Sequence, residues 1–201
     1  MSDGANLDMD AIILAAGLSL RMGQPKMLLP WVQKTVLETV VDAVLAGGIA
    51  HPIVVAGANP KKISELLKNY PVQIVFNPDY EDGEMLHSLQ AGLSALGSQC
   101  QAFFVVLGDQ PQIQSSTIQL LIEAYRKEPH PMIVPSYKMC RGHPWLVGRE
   151  FWDELLSLKT PATLRDFVRK HAQEIHYLNL DTPTILADLD TPEDYRKFRP
   201  A

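Results

Sequence analysis

Residues 9–30 read MDAIILAAGLSLRMGQPKMLLP. The run from Ala11 to Leu14 is continuously apolar, as expected for a strand covered on both faces. It ends in Ala15, Ala16 and Gly17, which carry almost no side-chain bulk. Such an end lets backbone amides approach a bound group closely, as a phosphate-cradling loop requires. Arg21 and Lys26 then bring two positive charges into one short loop. The pattern is neither GxxxxGK[ST] nor GxGxxG, since Gly17 and Gly23 stand alone, so a phosphate loop of another kind is predicted.

Working outward, apolar runs alternate with helical periodicity. The runs DAIIL, PIVVAG, VQIVF and AFFVVLGD are separated by TVLETVVDAVLAGG, PKKISELLKNY and EMLHSLQAGLSALG, and SSTIQLLIEAYRK follows. That order predicts βαβ units and an α/β fold with a doubly wound, mainly parallel, Rossmann-like sheet. In the first helix Val36, Val40, Val41, Val44 and Leu45 form one stripe, and Gly47 and Gly48 stop it. After residue 130 the alternation weakens. PMIVPS reads as a strand and YKMCRGHPWLVG as a small irregular or hairpin excursion before FWDELLSL. Residues 161–172 read as a helix with Pro161 near its start, IHYLNL and ILADLD as late strands, and TPEDYRKF as a terminal helix capped by Thr191. One domain over 1–201 is predicted, with residues 1–8 flexible.

Composition bounds the function. The 201 residues are 46% apolar and 20% charged, enough to bury a substantial core. A net charge of −5 without a long basic tract argues against a nucleic-acid or anionic-membrane binder. No apolar run approaches the roughly 20 residues of a spanning helix, and MSDGANLDMD is no signal peptide, so a cytoplasmic protein is expected. Cys100 and Cys140 read as reduced structural thiols.

The stretch LAAGLSLRMGQPKMLLP resembles the signature loop of the molybdopterin-nucleotidyltransferase-like superfamily. Its LAAG form and GDQPQ at 108–112 look like the molybdenum cofactor cytidylyltransferase branch. NPDYEDGEMLHSLQAG (77–92), RGHPWL (141–146) and DLDTPEDY (188–195) also have family counterparts. The resemblance implies transfer of CMP from CTP to the terminal phosphate of molybdopterin cofactor, with Mg²⁺ and release of pyrophosphate. A recipient molybdoenzyme or its chaperone is then the downstream partner. It implies nucleotide binding by Leu14, Ala15, Ala16, Gly17, Ser19, Arg21, Gly23, Lys26, Ser88, Gly108 and Asp109. Catalysis falls to Arg21, Lys26 and Asp109, the metal to Asp109 with Asp190 ahead of Asp188, and the acceptor to Gln110, Pro111 and His143.

Blander readings accompany several of these. Asp109 and Asp190 are common turn residues, and Ser88 is a natural helix-start residue. His51, His87, His130, His171 and His176 show no metal-ligand spacing, so no zinc site is predicted. Phe151 and Trp152 read as packing. Two other functions fit the same residues: transfer to a sugar or polyol phosphate, and noncatalytic binding of a nucleotide or cofactor. Retention of Lys26 with the terminal aspartates counts against the second.

Overall fold

The computed structural model describes residues 8–82 and 85–200. Of the N-terminal residues expected to be flexible, 1–7 lie outside that range, as do Gly83 and Glu84 of the 77–92 segment. In chain order the elements begin with β1 (Met9–Ala15), β2 (Pro30–Trp31), β3 (Lys34–Thr35), α1 (Val36–Ala46), β4 (Ile53–Ala56), α2 (Pro60–Leu66), β5 (Gln73–Phe76) and α3 (Met85–Leu93). They continue with β6 (Ala102–Leu107), α4 (Ser115–Lys127), β7 (Met132–Tyr137), β8 (Cys140–Arg141) and β9 (Trp145–Gly148). Last come α5 (Trp152–Ser157), α6 (Leu164–Lys170), β10 (Ile175–Asn179) and α7 (Pro192–Phe198).

The main sheet runs β10-β7-β9-β6-β1-β4-β5, with β8 paired to β7. Strands β6, β1, β4 and β5 are mutually parallel, as are β10 and β7, whereas β9 is antiparallel to both its neighbours. The expected excursion is therefore a β7–β8 hairpin followed by a strand that returns into the sheet. Strand β1 shows why the sheet is wound on both faces. Ala11, Ile13 and Ala15 join a core layer with α1, α2 and α4, while Ile12, Leu14 and Ala16 join the opposite layer with α3, α5 and α6. Successive strand residues point to opposite faces, so an unbroken apolar run fills both layers at once. Phe151 and Trp152 lie in the second layer, as packing predicts.

A third, smaller cluster decides where the chemistry goes. Met22, Leu29, Trp31, Val36 and Leu189 are buried together, with Tyr195 and Phe198 of α7 against them. It ties the loop after β1 to the C-terminal segment, and the Tyr195 hydroxyl donates to the Pro30 carbonyl.

Two element assignments need correction. ILADLD is not a strand: Thr182 caps a 3-10 turn at Pro183–Leu186, and the following residues run as an irregular segment. Ile185, Ala187 and Leu189 are buried for another reason, since they anchor the segment without strand pairing, while Leu186 is exposed. The helix expected over 161–172 is Leu164–Lys170. Thr163, in a reciprocal capping box with Asp166, sets its start and leaves Pro161 outside. The short pair β2–β3 has no counterpart in the sequence reading.

His171 holds the corner between α5 and α6. Its Nδ1 is 2.6 Å from Glu174 Oε1 and its Nε2 is 3.0 Å from Glu154 Oε1, and the ring packs on Phe151 and Phe167. Ionised carboxylates only accept, so both ring nitrogens donate and the imidazole is charged. Burial alone pulls its pKa down, but Glu154 and Glu174 outweigh this and the net direction is up. The folded-state pKa is raised, so this contribution is complete below the ordinary histidine value and is lost as pH rises through the folded value. The melting temperature is expected to fall over that interval by roughly 2–4 °C per kcal/mol lost in a chain of this size. His171→Gln should flatten that part of the curve, as thermal denaturation between pH 6 and 9 would show.

Candidate active site

The ends of β1 and β6 open into one cavity of about 530 Å³. It lies where parallel-sheet folds place ligands, beyond the carboxyl ends of the strands. From the first loop it is lined by Leu14, Ala16, Gly17, Leu18, Ser19, Leu20, Arg21 and Lys26. Here the chain bends sharply: Ser19 has φ 56° and Gly23 φ 69°, bracketing a 3-10 turn at Leu20–Met22. Ser19 Oγ accepts from the Lys26 amide at 3.2 Å, which closes the loop on itself. A Cβ at Gly17 would meet nothing within 4 Å, so chain packing does not demand glycine there. Gly17 lines the cavity instead, consistent with close approach of a ligand to the backbone.

Three segments meet at Lys26. Its ammonium pairs with Asp109, just beyond β6, and with Asp190 Oδ1 at 3.2 Å. Arg21 reaches the other oxygen of Asp190 at 2.8 Å. The Lys26 side chain is 11% exposed and that of Asp109 14%, whereas Arg21 is 70% exposed, so the inner pair is much less screened than the outer one. Burial alone would lower the Lys26 pKa, but Asp109 and then Asp190 outweigh it and the net shift is upward. Lys26 is therefore a fixed cation.

The C-terminal carboxylates are delivered by the third core cluster. Leu189 is fully buried in it and its amide donates to the Asp109 carbonyl at 3.1 Å, which leaves Asp188 and Asp190 lining the cavity on either side. Asp188 accepts from the Gln110 side-chain amide. Burial raises the Asp188 pKa, the Gln110 bond opposes this, and the charges of Asp109 and Asp190 add to the rise.

The remaining site residues read from sequence are placed as follows. Ser88 lines the cavity from α3. It is the fourth residue of that helix, not its cap. Ala15, Gly23, Gly108, Gln110, Pro111 and His143 do not line it. Gly108 serves packing, since a Cβ there would stand 2.9 Å from the Leu14 carbonyl oxygen and 3.2 Å from Met27 Sδ. Gln110, 2% exposed, acts through Asp188. The His143 ring stacks on Trp145 with centroids 4.5 Å apart, its amide donates to the Ile185 carbonyl, and burial lowers its pKa to about 4. It is a neutral ring that shapes the loop against residues 183–186.

Seven lining residues escaped the sequence reading: the apolar Leu18, Leu20, Met27, Met85 and Leu107, and two that carry polar groups, Tyr80, which follows β5, and Arg165, the second residue of α6. Arg165 forms no ion pair among the described residues, because its neighbour Asp166 is engaged by Thr163 and Arg169. Neither Tyr80 nor Arg165 carries a local signal; only the fold brings them to the strand ends.

This arrangement matches what comparison with known proteins finds. Residues 11–175 match the MobA-like NTP transferase domain family. The molybdenum cofactor cytidylyltransferase of Escherichia coli (strain K12) is 32% identical over 188 residues, covering 92% of this chain and 93% of that protein. The nicotine blue oxidoreductase of Paenarthrobacter nicotinovorans is 28% identical over 191 residues, covering 90% and 92%. Among solved structures, Rv0371c from Mycobacterium tuberculosis H37Rv superposes with TM-score 0.83 at 26% identity, covering 94% of this chain and 96% of that one. A structure of the same protein in complex with manganese gives TM-score 0.78 at 26% identity, covering 96% and 98%. A sharply bent loop after β1, a buried lysine and carboxylates from two distant segments thus occur on the matching fold, and the chain belongs to the MobA-like NTP transferase family.

Proposed function

We propose that this protein transfers the cytidylyl group of CTP to the terminal phosphate of molybdopterin cofactor and releases pyrophosphate. The observation that carries the reading is the convergence of Lys26, Asp109 and Asp190 on the loop after β1, in a chain that shares 32% identity with a molybdenum cofactor cytidylyltransferase along nearly its whole length.

An oxygen of the acceptor phosphate bonds to the α-phosphorus of CTP, and the bond from that phosphorus to the bridging oxygen breaks. The electron pair leaves with pyrophosphate. The attacking oxygen is already anionic, so the chain need not supply a general base, and its task is alignment and charge stabilisation. Backbone amides from Leu14 to Gly23 hold the triphosphate, with Arg21 at the exposed rim. Lys26, preset by Asp109 and Asp190, follows the charge that develops between the α-phosphate and the departing pyrophosphate.

A divalent cation, Mg²⁺, completes the reading. Asp109 and Asp190 are hard oxygen donors brought together at one ammonium, with Asp188 beside them. Among the described residues no three metal-ligating side chains form a cage. That suits Mg²⁺, which is commonly held by one or two carboxylates together with substrate phosphates and waters. The manganese complex of a similar protein supports a divalent ion here. When bound, the ion neutralises charge on the phosphate oxygens.

Arg165 is assigned to the acceptor. It is the one lining cation free of ion pairs among the described residues, and a guanidinium takes a phosphate through two parallel hydrogen bonds. Arg165→Ala is expected to raise the acceptor KM by about tenfold to a hundredfold, the 1.5–3 kcal/mol of a charged hydrogen bond, while the CTP KM stays within about twofold. Steady-state kinetics with each substrate varied in turn checks this.

The reading further places the protein in the cytoplasm, passing its product to a recipient molybdoenzyme or its chaperone. No helix among the described residues is long and apolar enough to cross a membrane. A screen of CTP, GTP, UTP and ATP against molybdopterin cofactor and against sugar and polyol phosphates, followed by pyrophosphate release, tests the function. Turnover with CTP and the cofactor is expected; turnover with a sugar or polyol phosphate alone would overturn the acceptor assignment.

A further inference from the structure

The corner between α5 and α6 holds a buried titratable group that the transfer reaction leaves unused. Leu164, Phe167 and Val168 form the apolar stripe of α6 and lie in the second core layer. His171 falls next on that stripe, three and four residues after Val168 and Phe167, where another apolar side chain would continue it. It is buried, and its ring spans two carboxylates, Glu154 from α5 and Glu174 from the turn before β10. The other charges around it have partners of their own. Lys170 shares Glu154 at 2.9 Å, and the 3-10 turn at Arg149–Phe151 gives His171 only the Phe151 ring, since Arg149 lies over Trp152.

What depends on this mount is Arg165. It stands at the other end of α6, about 9 Å along the axis from His171, and it lines the cavity. A helix of seven residues does not hold itself in water, so tertiary contacts set its seat. The neighbouring α5 is fixed independently, because the Gln90 side-chain amide of α3 donates to the carbonyls of Leu155 at 2.9 Å and Leu158 at 2.8 Å. Between the two helices run Lys159, Thr160 and Pro161, all exposed. The ties from α6 back to α5 are the buried His171 and the mostly exposed Lys170, both on Glu154. On losing its proton the ring keeps one N–H and gains a lone pair, so one of the two carboxylates then faces an acceptor. No rotation of a neutral ring restores both contacts.

We propose that His171 is a positioning residue for the acceptor: its charged form seats α6 so that Arg165 holds an anion in the cavity, and its neutral form loosens that seat. The inference rests on the assignment of Arg165 to the acceptor. Anion affinity at Arg165 then falls as pH rises through the folded-state value of His171, which its two carboxylates hold above the ordinary one. The donor loop does not follow, because Lys26 stays charged over the same interval.

Inorganic sulfate, dianionic throughout pH 6–9, probes the full chain without the change of charge that phosphate undergoes there. Sulfate binding is expected to weaken about fivefold from pH 6 to pH 9, the low end of coupling between sites, and Arg165→Ala should abolish that pH dependence. His171→Gln, whose side chain has one donating end, should bind sulfate at pH 6 as weakly as the parent does at pH 9. Glu174→Gln separates positioning from a merely structural role. Glutamine accepts from the charged ring and donates to the neutral one, so this variant should hold sulfate at pH 9 within twofold of its pH 6 value. It decides the matter alone if His171→Gln is too unstable to assay. With CTP and molybdopterin cofactor, the acceptor KM should follow the sulfate pattern while the CTP KM stays within twofold. A parent without the pH dependence, an undiminished dependence in Glu174→Gln, or sulfate binding indifferent to Arg165 would overturn the proposal. If no acceptor supports pyrophosphate release, the proposed reaction fails while the sulfate series still decides the role of His171.

Discussion

Lys26→Ala is expected to lower the rate of cytidylyl transfer by roughly 10²–10³-fold, the size of losing one preorganised charge-stabilising donor. The reasoning lies in its surroundings. Lys26 is nearly buried, pairs with two carboxylates from segments far apart in sequence, and has its pKa held above the ordinary lysine value. Such a group is charged at every working pH and needs no reorganisation as charge develops on the leaving pyrophosphate. A second readout distinguishes this role from a merely structural one. Without Lys26, Asp109, Asp188 and Asp190 lose the cation between them and retain only Arg21, which is mostly exposed. The variant should therefore bind Mn²⁺ in the absence of nucleotide more tightly than the parent does, even as transfer collapses. Calorimetric titration with Mn²⁺ and pyrophosphate release together check the pair of expectations. A variant that merely unfolded would show neither tighter metal binding nor a cooperative melt.

Asp109→Asn is the second large effect. The substitution preserves shape, and the Asp109 carbonyl that accepts from Leu189 is untouched, so the C-terminal segment should stay in place. What is removed is one negative charge facing Lys26. In the proposed reading Asp109 holds the divalent ion, and weakening that hold takes away part of the several kcal/mol of charge stabilisation the ion supplies. At about tenfold per 1.4 kcal/mol, a fall in kcat of about 10²–10³ is expected. The effect should exceed that of Asp190→Asn, because Asp190 is more exposed and shared with Arg21. Raising the Mg²⁺ concentration should recover part of the activity of Asp190→Asn and much less of Asp109→Asn, which a metal titration of kcat would show.

Much of the fold could be read from chain-local patterns. The apolar run of β1 fills two core layers, and its small-residue end does face a cavity. The cap at Thr191 is present as the sequence implies. The misreadings share one cause. Ile185, Ala187 and Leu189 look like strand residues because they are apolar and alternate as a strand would, yet they are buried as anchors for a segment that joins no strand ladder among the described residues. Leu189 is the clearest case, since its burial against Met22 and Trp31 aims Asp188 and Asp190, and that partnership spans most of the chain. For the same reason Tyr80 and Arg165 passed unnoticed: each becomes a site residue through tertiary placement alone. GDQPQ shows the converse, a motif recognised as a unit whose members divide once folded. Asp109 faces the cavity, Gly108 packs beneath it, and Gln110 steadies Asp188.

The central claim, a cytidylyl transfer to a pterin-borne phosphate, is tested most directly by following the label from CTP carrying ³²P at its α-position. With molybdopterin cofactor and Mg²⁺, the predicted result is label in a cytosine dinucleotide of the cofactor, one pyrophosphate per label transferred, and loss of both in Lys26→Ala. Label that remains in CTP or CMP with the cofactor present, but moves onto a sugar or polyol phosphate, would contradict it.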